Sequence, residues 1–238
     1  MSGFTLEIAA NSLASALAAQ EGGADRVELC ENLGEGGCTP SYGTLAVARD
    51  RLRIPLYVLI RPRTGDFAYG DWECEVMLRD IEHCVRLGCD GVVIGALDAS
   101  GDVDMALCRQ LIGVAGTLGV TFHRAFDVAR DPLQALEAIA ALGCQRVLTS
   151  GAAVDAPTGA ANIAAYVQAA GARLSIMAGA GVAATNIAML KQTGVREFHT
   201  SAKAWRQGIS QRALLGLDAA WLQSDVEIVR RLKQALIA

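Results

Sequence analysis

The stretch Gly143-Cys-Gln-Arg-Val147, which continues as Leu148-Thr-Ser-Gly151, contains the pattern that decides the fold. Its first half is a glycine, a small apolar residue, polar residues and the start of an apolar run. The same junction recurs at residues 23–27, 88–92 and 194–198. Because glycine suits the left-handed end of a helix, each junction is expected to end a helix and begin a strand.

Eight short apolar runs fit this alternation, and segments of helical period separate them. The runs are Leu6–Ala9, Arg26–Cys30, Leu56–Arg61, Gly91–Ala96, Val120–Arg124, Arg146–Ser150, Leu174–Met177 and Glu197–Ser201. Such alternation is typical of a parallel sheet with crossover helices, and eight units in roughly 240 residues is the size of a TIM barrel. An open doubly wound sheet is disfavoured because no Gly-x-Gly-x-x-Gly motif follows the first strand.

The sequence therefore predicts an α/β fold, a single-domain TIM (β/α)8 barrel over residues 4–204 with a C-terminal extension over residues 205–238. Three helix starts can also be placed, one of them at Thr39-Pro40, by the same signal as at Asp131-Pro132. Asp131-Pro132 puts a capping side chain before a proline at the first helical position. Ser224 and Glu227 have the spacing of a capping box that opens a final helix.

Composition excludes several classes of protein. Of the 238 residues, 52% are hydrophobic and 19% are charged, which excludes an intrinsically disordered chain. The net charge of −4 provides no general attraction to nucleic acid or to anionic membranes. No signal peptide pattern opens the chain, and no apolar run approaches the roughly 20 residues of a membrane span. We expect a soluble, cytoplasmic protein with reduced, mostly buried thiols.

Polar residues are concentrated near the predicted strand ends, where TIM barrels carry their active sites. The acid–base candidates are Glu7, Glu28, His123 and Asp127, and Thr149, Ser150 and His199 are expected in the same pocket. A charged side chain inside an apolar strand is costly unless it is paired. The alternative interpretation is therefore a set of structural ion pairs that plugs the barrel.

A second group of residues predicts an anion site at the same mouth. Its members are Arg61, Arg63, Arg124, Gly151, Gly179, Gly181, Ser201 and Lys203. Arginines bind carboxylate or phosphate through parallel N–H groups, and small loops before a short helix let backbone N–H groups approach an anion. The alternative is that the glycines form ordinary tight turns. Phe67, in the long segment after the third strand, would shield the site from water.

Cysteine and histidine provide the candidates for a metal site. Cys30 shares a strand face with Glu28 and is expected one layer nearer the mouth, so it is the cysteine that stands out. His123 and His199 fall at strand ends, but they come from distant strands and do not show ligand spacing.

A series of ordered motifs resembles the copper homeostasis protein CutC family. The motifs are Glu28-Leu-Cys30, Glu35-Gly-Gly37, Thr39-Pro-Ser41, Arg61-Pro-Arg63, Gly65-Asp-Phe67, Tyr69, Thr121-Phe-His-Arg-Ala-Phe-Asp127, Leu148-Thr-Ser-Gly151 and Glu197-Phe-His199. The resemblance extends to about Ala202. It implies a TIM barrel, copper handling in the cytoplasm, Cu(I) held by cysteine thiolates, and self-association into a homo-oligomer.

The chain departs from the family pattern at two positions. The strand-one position that carries a cysteine in members proposed to bind copper is Ala9 here, which leaves Cys30 as the metal ligand, with Cys38 eight residues away. Ala180 replaces a glycine of the strand-seven loop.

Two functions follow from these observations. One is Cu(I) binding through Cys30. The other is an enzyme or binding protein for a small phosphorylated or carboxylated metabolite, held in an Arg/Glu/His pocket. The segment Trp205–Trp221 is predicted either to form an interface arm between copies or to pack on the barrel.

Overall fold

Eight parallel strands close into a barrel in the computed structural model, which describes residues 3–208 and 220–237. The strands are β1 (Thr5–Ala10), β2 (Arg26–Leu29), β3 (Leu56–Leu59), β4 (Gly91–Ile94), β5 (Gly119–Phe122), β6 (Arg146–Thr149), β7 (Ser175–Ala178) and β8 (Glu197–Thr200). They follow chain order around the barrel, and β8 pairs with β1. The predicted TIM barrel and its eight strands are confirmed.

Helices surround this barrel. They are α1 (Leu13–Glu21), α2 (Tyr42–Arg51), α3 (Asp71–Leu87), α4 (Met105–Ala115), α5 (Pro132–Ala141), α6 (Ala160–Ala170), α7 (Ile187–Lys191) and α8 (Val226–Ile237). Short 3-10 helices cover Leu33–Glu35 and Arg124–Val128. None of the helices described in residues 3–208 and 220–237 has the length and hydrophobicity needed to cross a bilayer.

Of the three predicted helix caps, the one at Asp131 is confirmed and the one at Ser224 is displaced by one residue. The cap at Thr39 is wrong, because α2 begins at Tyr42 and Ser41 caps it by accepting the N–H of Thr44. Asp131 caps α5 by accepting the N–H groups of Leu133 and Gln134. At α8 the cap is Asp225 rather than Ser224, because the Asp225 carboxylate accepts the first free helical N–H groups. The Ser224 hydroxyl instead donates to the carbonyl of Ser201 and ties the segment to the end of β8.

Inside the barrel, the strand register arranges the side chains in layers of four from alternate strands. From the bottom upward the layers are Arg26, Gly91, Arg146 and Glu197; Glu7, Tyr57, Thr121 and Met177; Glu28, Val93, Leu148 and His199; and Ala9, Leu59, His123 and Gly179. The two lower layers are dominated by bulky or charged residues, whereas the uppermost contains alanine and glycine. The barrel is therefore filled below and open above.

The C-terminal part has two components. After β8, the strands β9 (Lys203–Gln207) and β10 (Ala220–Ser224) pair antiparallel, and residues 209–219 between them lie outside the described part. Helix α8 then packs against α1 and α7 and buries Val229, Leu232 and Leu236. It occupies the place of the eighth barrel helix, whereas the sequence placed residues 205–238 together in one extension.

The predicted interface arm falls on the β9–β10 pair. Trp205 and Trp221 are 64% and 47% exposed, so neither is packed fully onto the barrel. The middle of the arm lies outside the described residues, and its role between copies stays a prediction. The pair is attached to the barrel by Asn11, whose side-chain amide donates to the carbonyl of Leu222 at 2.9 Å.

If α8 completes the barrel, truncating its buried face should destabilise the whole domain. We expect Leu232→Ala to lower the free energy of unfolding by about 2–5 kcal/mol, because Leu232 is 1% exposed. Gln234→Ala, on the exposed face of the same helix, is the matched control and should change it little. Urea unfolding followed by circular dichroism measures both, and equal stability of the two variants would contradict this placement.

Candidate functional site

Charged side chains at the bottom of the barrel neutralise one another. The Arg26 guanidinium donates to Glu7 and, at 2.6 Å, to Glu197. Arg146 donates to Glu197 at 3.0 Å. Both guanidinium carbons lie 5.1 Å from the centre of the Tyr57 ring. The interpretation as a structural plug is therefore favoured for this level, and Glu7, which is fully buried, belongs to it.

His199 connects this plug to the layer above. Its Nδ1 lies 2.7 Å from Oε1 of Glu7, and its Nε2 lies 3.3 Å from Oε2 of Glu28. Burial acts to raise the pKa of Glu7, but Arg26 and His199 together lower it to about 2. Burial raises the pKa of Glu28 to about 7, against the pull of His199. Of the two carboxylates, Glu28 is the one suited to exchanging a proton near neutral pH.

A cavity of about 570 Å³ opens above Glu28 and His199 at the C-terminal mouth of the barrel. Part of its floor is formed by Ala9, in the next layer, whose small side chain leaves space above Glu28. The predicted site residues that line it are Glu28, Cys30, Arg61, His123, Arg124, Asp127, Gly181, His199, Ser201 and Lys203. Those that lie outside its lining are Glu7, Arg63, Thr149, Ser150, Gly151 and Gly179.

Arg61 carries a positive charge into this cavity without a carboxylate partner among the described residues. It is 5% exposed. Three of the five N–H groups of its guanidinium donate to the carbonyls of Glu35, Gly37 and Gly65. Its Nε is buried and has no partner within the described part of the chain. Two of its five N–H groups therefore have no hydrogen-bond partner among the described residues.

His123 provides a second free donor. Its Nδ1 accepts the N–H of Ala125 at 3.1 Å, which assigns the proton of the neutral ring to Nε2. Nε2 is buried and has no partner within residues 3–208 and 220–237. Burial and the nearby Arg61 lower the pKa of His123 to about 3, so the ring is neutral at physiological pH.

Asp127 is committed to holding the loop after β6. Its carboxylate accepts the Thr149 hydroxyl and the backbone N–H groups of Ser150 and Ala152. It also pairs with Arg124 at 2.8 Å. With both oxygens occupied, Asp127 is better suited to positioning Arg124 and the loop than to accepting a proton from a ligand.

Arg63 does not join Arg61 in a clamp. Its guanidinium pairs with Glu73, and with Asp66 at 2.9 Å. The sequence analysis placed both arginines at the anion site, but β3 ends at Leu59, and Arg63 lies in the following loop with these carboxylate partners. The segment does cover the mouth as expected, through Phe67, which lines the cavity.

The loops after β7 and β8 reach the cavity, but the expected helix does not follow them closely. Gly181, Ser201 and Lys203 contribute to the lining. After β8 the chain continues into β9, and α7 starts at Ile187 with the N–H of Ala183 already bonded to Asn186. The prediction that a helix N-terminus adds to this site is therefore wrong.

Backbone strain is concentrated at these loops. Ala152, Ala180 and Ala202, which follow β6, β7 and β8, have φ values of 54°, 69° and 46°. Alanine in this region costs about 1 kcal/mol or more, and such residues often occur at functional sites. Strain in three successive loops agrees with a site at this end of the barrel.

The donors near Cys30 do not fit Cu(I). Cys30 lines the cavity, but burial, followed by Glu28, raises the pKa of its thiol well above the ordinary value. Within residues 3–208 and 220–237, the group of residues able to converge on an ion is Glu7, Glu28 and His199, whose donor atoms lie within 4.8 Å of one another. Carboxylate and imidazole donors suit harder ions than Cu(I), which prefers thiolates.

Sequence reasoning missed the partners that make the plug. Arg26 and Glu197 lie two residues before Glu28 and His199, on the same strand faces, so strand alternation could have found them. Arg146 occupies the matching level of β6. Phe67 was predicted to shield the site, and its ring lies against both Arg61 and His123.

Comparison with known proteins agrees with this fold and site. Residues 4–204 match the family model described as "CutC family". The chain belongs to the CutC family. A CutC family protein of Xanthomonas campestris pv. campestris (strain B100) is 58% identical over 235 residues, which cover 97% of this chain and 98% of that one. A CutC family protein of Chromobacterium violaceum is 54% identical, with 97% of each chain covered.

A solved CutC structure from Streptococcus agalactiae is similar to the present barrel. The two share 35% sequence identity and a TM-score of 0.80, over 83% of this chain and 98% of that one. The name of that protein assigns it provisionally to copper homeostasis. The predicted family membership is thus confirmed, and with it the association with copper homeostasis by name.

Stability should fall as Glu28 ionises. Its pKa rises from 4.5 to about 7 on folding, so its contribution is complete below pH 4.5 and is lost as pH rises through 7. His199, whose pKa is raised by Glu28 and Glu7 against burial, acts in the same direction. Glu7 and Arg26, the other charges facing this pair, keep their charge in this range.

We expect the wild-type free energy of unfolding to fall by about 2 kcal/mol more than that of Glu28→Gln between about pH 5.5 and about pH 7.5. Urea unfolding at several pH values measures the difference. Glu82→Gln, at an exposed position of α3, is the control and should follow the wild-type profile. Parallel profiles for wild type and Glu28→Gln would show that Glu28 does not titrate in this range.

Proposed function

We propose that this barrel binds a small metabolite carrying a carboxylate or phosphate group and transfers a proton to or from it at the mouth. The single observation that carries the proposal is Arg61, a buried guanidinium that lines the cavity and lacks a carboxylate partner in the described residues.

An anionic ligand would relieve the cost of this buried charge. Carbonyl oxygens hold Arg61 in place but do not neutralise it, and an uncompensated buried charge is expensive. Of the two remaining N–H groups, the one on Nη2, the nitrogen that also donates to Gly65, can bind a carboxylate or phosphate through a charge-assisted hydrogen bond. Lys203 and Arg124 add positive charge at the same mouth.

Glu28 supports the proton-transfer part of the proposal. Glu28 lines the same cavity as Arg61. It also lies beside His199, whose ring is oriented by Glu7. A carboxylate whose pKa lies near neutral pH is matched to general acid–base work. We further expect the protein to act in the cytoplasm and to self-associate, as the family resemblance implies.

Binding of simple anions tests the site. We expect calorimetry to detect oxalate or inorganic phosphate binding to the wild type. Arg61→Lys, which keeps the charge but loses the planar fork, should weaken binding by about 10- to 100-fold. Lys203→Met should weaken it by a smaller factor, because Lys203 is exposed.

The control is Arg79→Met, which removes an exposed arginine of α3 and should leave binding unchanged. Arg61 also ties two loops together, so the folded fraction of each variant is checked by its unfolding transition. The proposal fails if neither anion binds the wild type, or if a folded Arg61→Lys binds both as tightly as the wild type does.

Cu(I) binding is the second candidate function, favoured by the position of Cys30 at the cavity and by the family's association with copper homeostasis. Copper would be cargo held by a single thiolate. Ala9 is the register partner of Glu28, and Glu28 lies two residues before Cys30 on the same strand face. A cysteine at position 9 would therefore supply the second thiolate.

Competition with a Cu(I) chelator tests this candidate. If Cys30 binds copper, Cys30→Ser abolishes uptake and Ala9→Cys tightens it, because a second soft ligand is added. Cys74→Ser, on α3 away from the cavity, controls for non-specific binding by the other thiols. Uptake that is the same in wild type and Cys30→Ser would remove Cys30 from the candidate metal ligands.

A further inference from the structure

The geometry points to an enolisable carbonyl compound as the substrate: Glu28 removes a proton from the carbon beside the carbonyl group, and His123 and Arg61 hold the oxygen that becomes negatively charged. This inference rests on the proposed function, since it names the substrate class of the same cavity.

Arg61 and His123 are brought together by the barrel wall. Strands β3, β4 and β5 are successive neighbours, and continuing their registers past the strand ends places Arg61, Gly95 and His123 side by side. Gly95 leaves space for the imidazole, because a Cβ there would lie 2.4 Å from ring atoms of His123. The Phe67 ring covers both groups, 4.9 Å from Cζ of Arg61 and 5.0 Å from the His123 ring centre.

Both groups present donors and no free acceptor. The Nε–H of Arg61 and the Nε2–H of His123 are buried without a partner in the described residues. The other nitrogen of His123 is occupied by the N–H of Ala125. A pair of fixed donors in a water-poor site is what stabilises a developing oxyanion, and a neutral imidazole can serve as such a donor.

Glu28 lies on the other side of the cavity. Strands β2 and β5 are three positions apart in a barrel of eight, and the Glu28 layer is directly below the His123 layer. His199 Nε2 lies 3.3 Å from one Glu28 oxygen, and Glu7 holds the opposite nitrogen of the ring. A ligand carbon between Glu28 and His123 would thus have a base on one side and oxyanion donors on the other.

The step balances without an added reactant. The C–H bond breaks, and its proton passes to a carboxylate oxygen of Glu28. The electron pair of that bond forms a C=C bond, while the C=O π pair moves onto the oxygen held by His123 and Arg61. Exchange of the Glu28 proton with solvent and its return to the same carbon regenerate the compound with a hydrogen taken from solvent.

Deuterium exchange tests this step. Full-length protein is incubated in D2O with pyruvate, dihydroxyacetone phosphate, ribulose 5-phosphate or fructose 6-phosphate, and loss of the α-proton signal is followed by proton NMR. Binding of each probe is measured separately by calorimetry. We expect at least one probe to bind and to exchange its α-proton faster than it does in buffer.

The variants assign the roles. Glu28→Gln should retain binding and slow exchange by about 10²- to 10⁴-fold, because the base is removed. His123→Phe, which keeps the ring but not the donor, should slow it by about 10²- to 10³-fold. His123→Gln restores an N–H donor and should recover part of the rate. His83→Phe, on α3 and outside the cavity, should exchange as the wild type does.

The outcomes separate this inference from the proposed function. Probes or inorganic phosphate that bind with no exchange would overturn the enolisation step and leave the anion site standing. Absence of all binding would overturn both. Exchange that is unchanged in a folded Glu28→Gln would overturn the assignment of the base.

Discussion

The pairing of charges inside the barrel is the constraint on which the rest of the structure depends. Arg26 lies between Glu7 and Glu197, and Arg146 shares Glu197, so two guanidiniums meet two carboxylates that are largely buried. Removing one partner from such a network typically costs about 3–5 kcal/mol, because it leaves a buried charge uncompensated. Since the charges come from β1, β2, β6 and β8, their pairing also specifies how these strands align.

The same network prepares the site above it. Glu7 uses one oxygen for Arg26 and the other for Nδ1 of His199, which turns Nε2 toward Glu28. The charges of the plug are paired with one another, whereas in the cavity Arg61 has no carboxylate partner among the described residues and the pKa of Glu28 is raised to about 7. The anionic group of a ligand would neutralise Arg61, and an exchangeable proton of the same ligand would match Glu28. His199 therefore connects the ion pairs of the plug to Glu28 in the cavity.

Apolar runs and junction glycines were sufficient to predict all eight strands, because burial on both faces of a parallel sheet leaves a strong local signal. The capping-box spacing at Ser224 located the start of α8 to within a residue, but no signal assigned this helix to the barrel, since an antiparallel strand pair separates it from β8. Polar residues at strand ends identified Glu28, Arg61 and His123. The sequence could not distinguish Arg61 from Arg63, because the choice of partner, backbone carbonyls for one and Glu73 for the other, is made by loop geometry.

Ala9 connects the metal question to the cavity. It lies beside Glu28 in the register and shares the uppermost layer with Gly179, so its small side chain leaves the Glu28–His199 pair accessible from the mouth. A cysteine there would add a thiol next to Cys30 and occupy part of that space. The residue that weakens a thiolate site therefore also enlarges the pocket over the acid–base pair. The same position thus favours a small-molecule ligand over Cu(I) on two independent physical grounds, the loss of a soft donor and the gain of volume above Glu28.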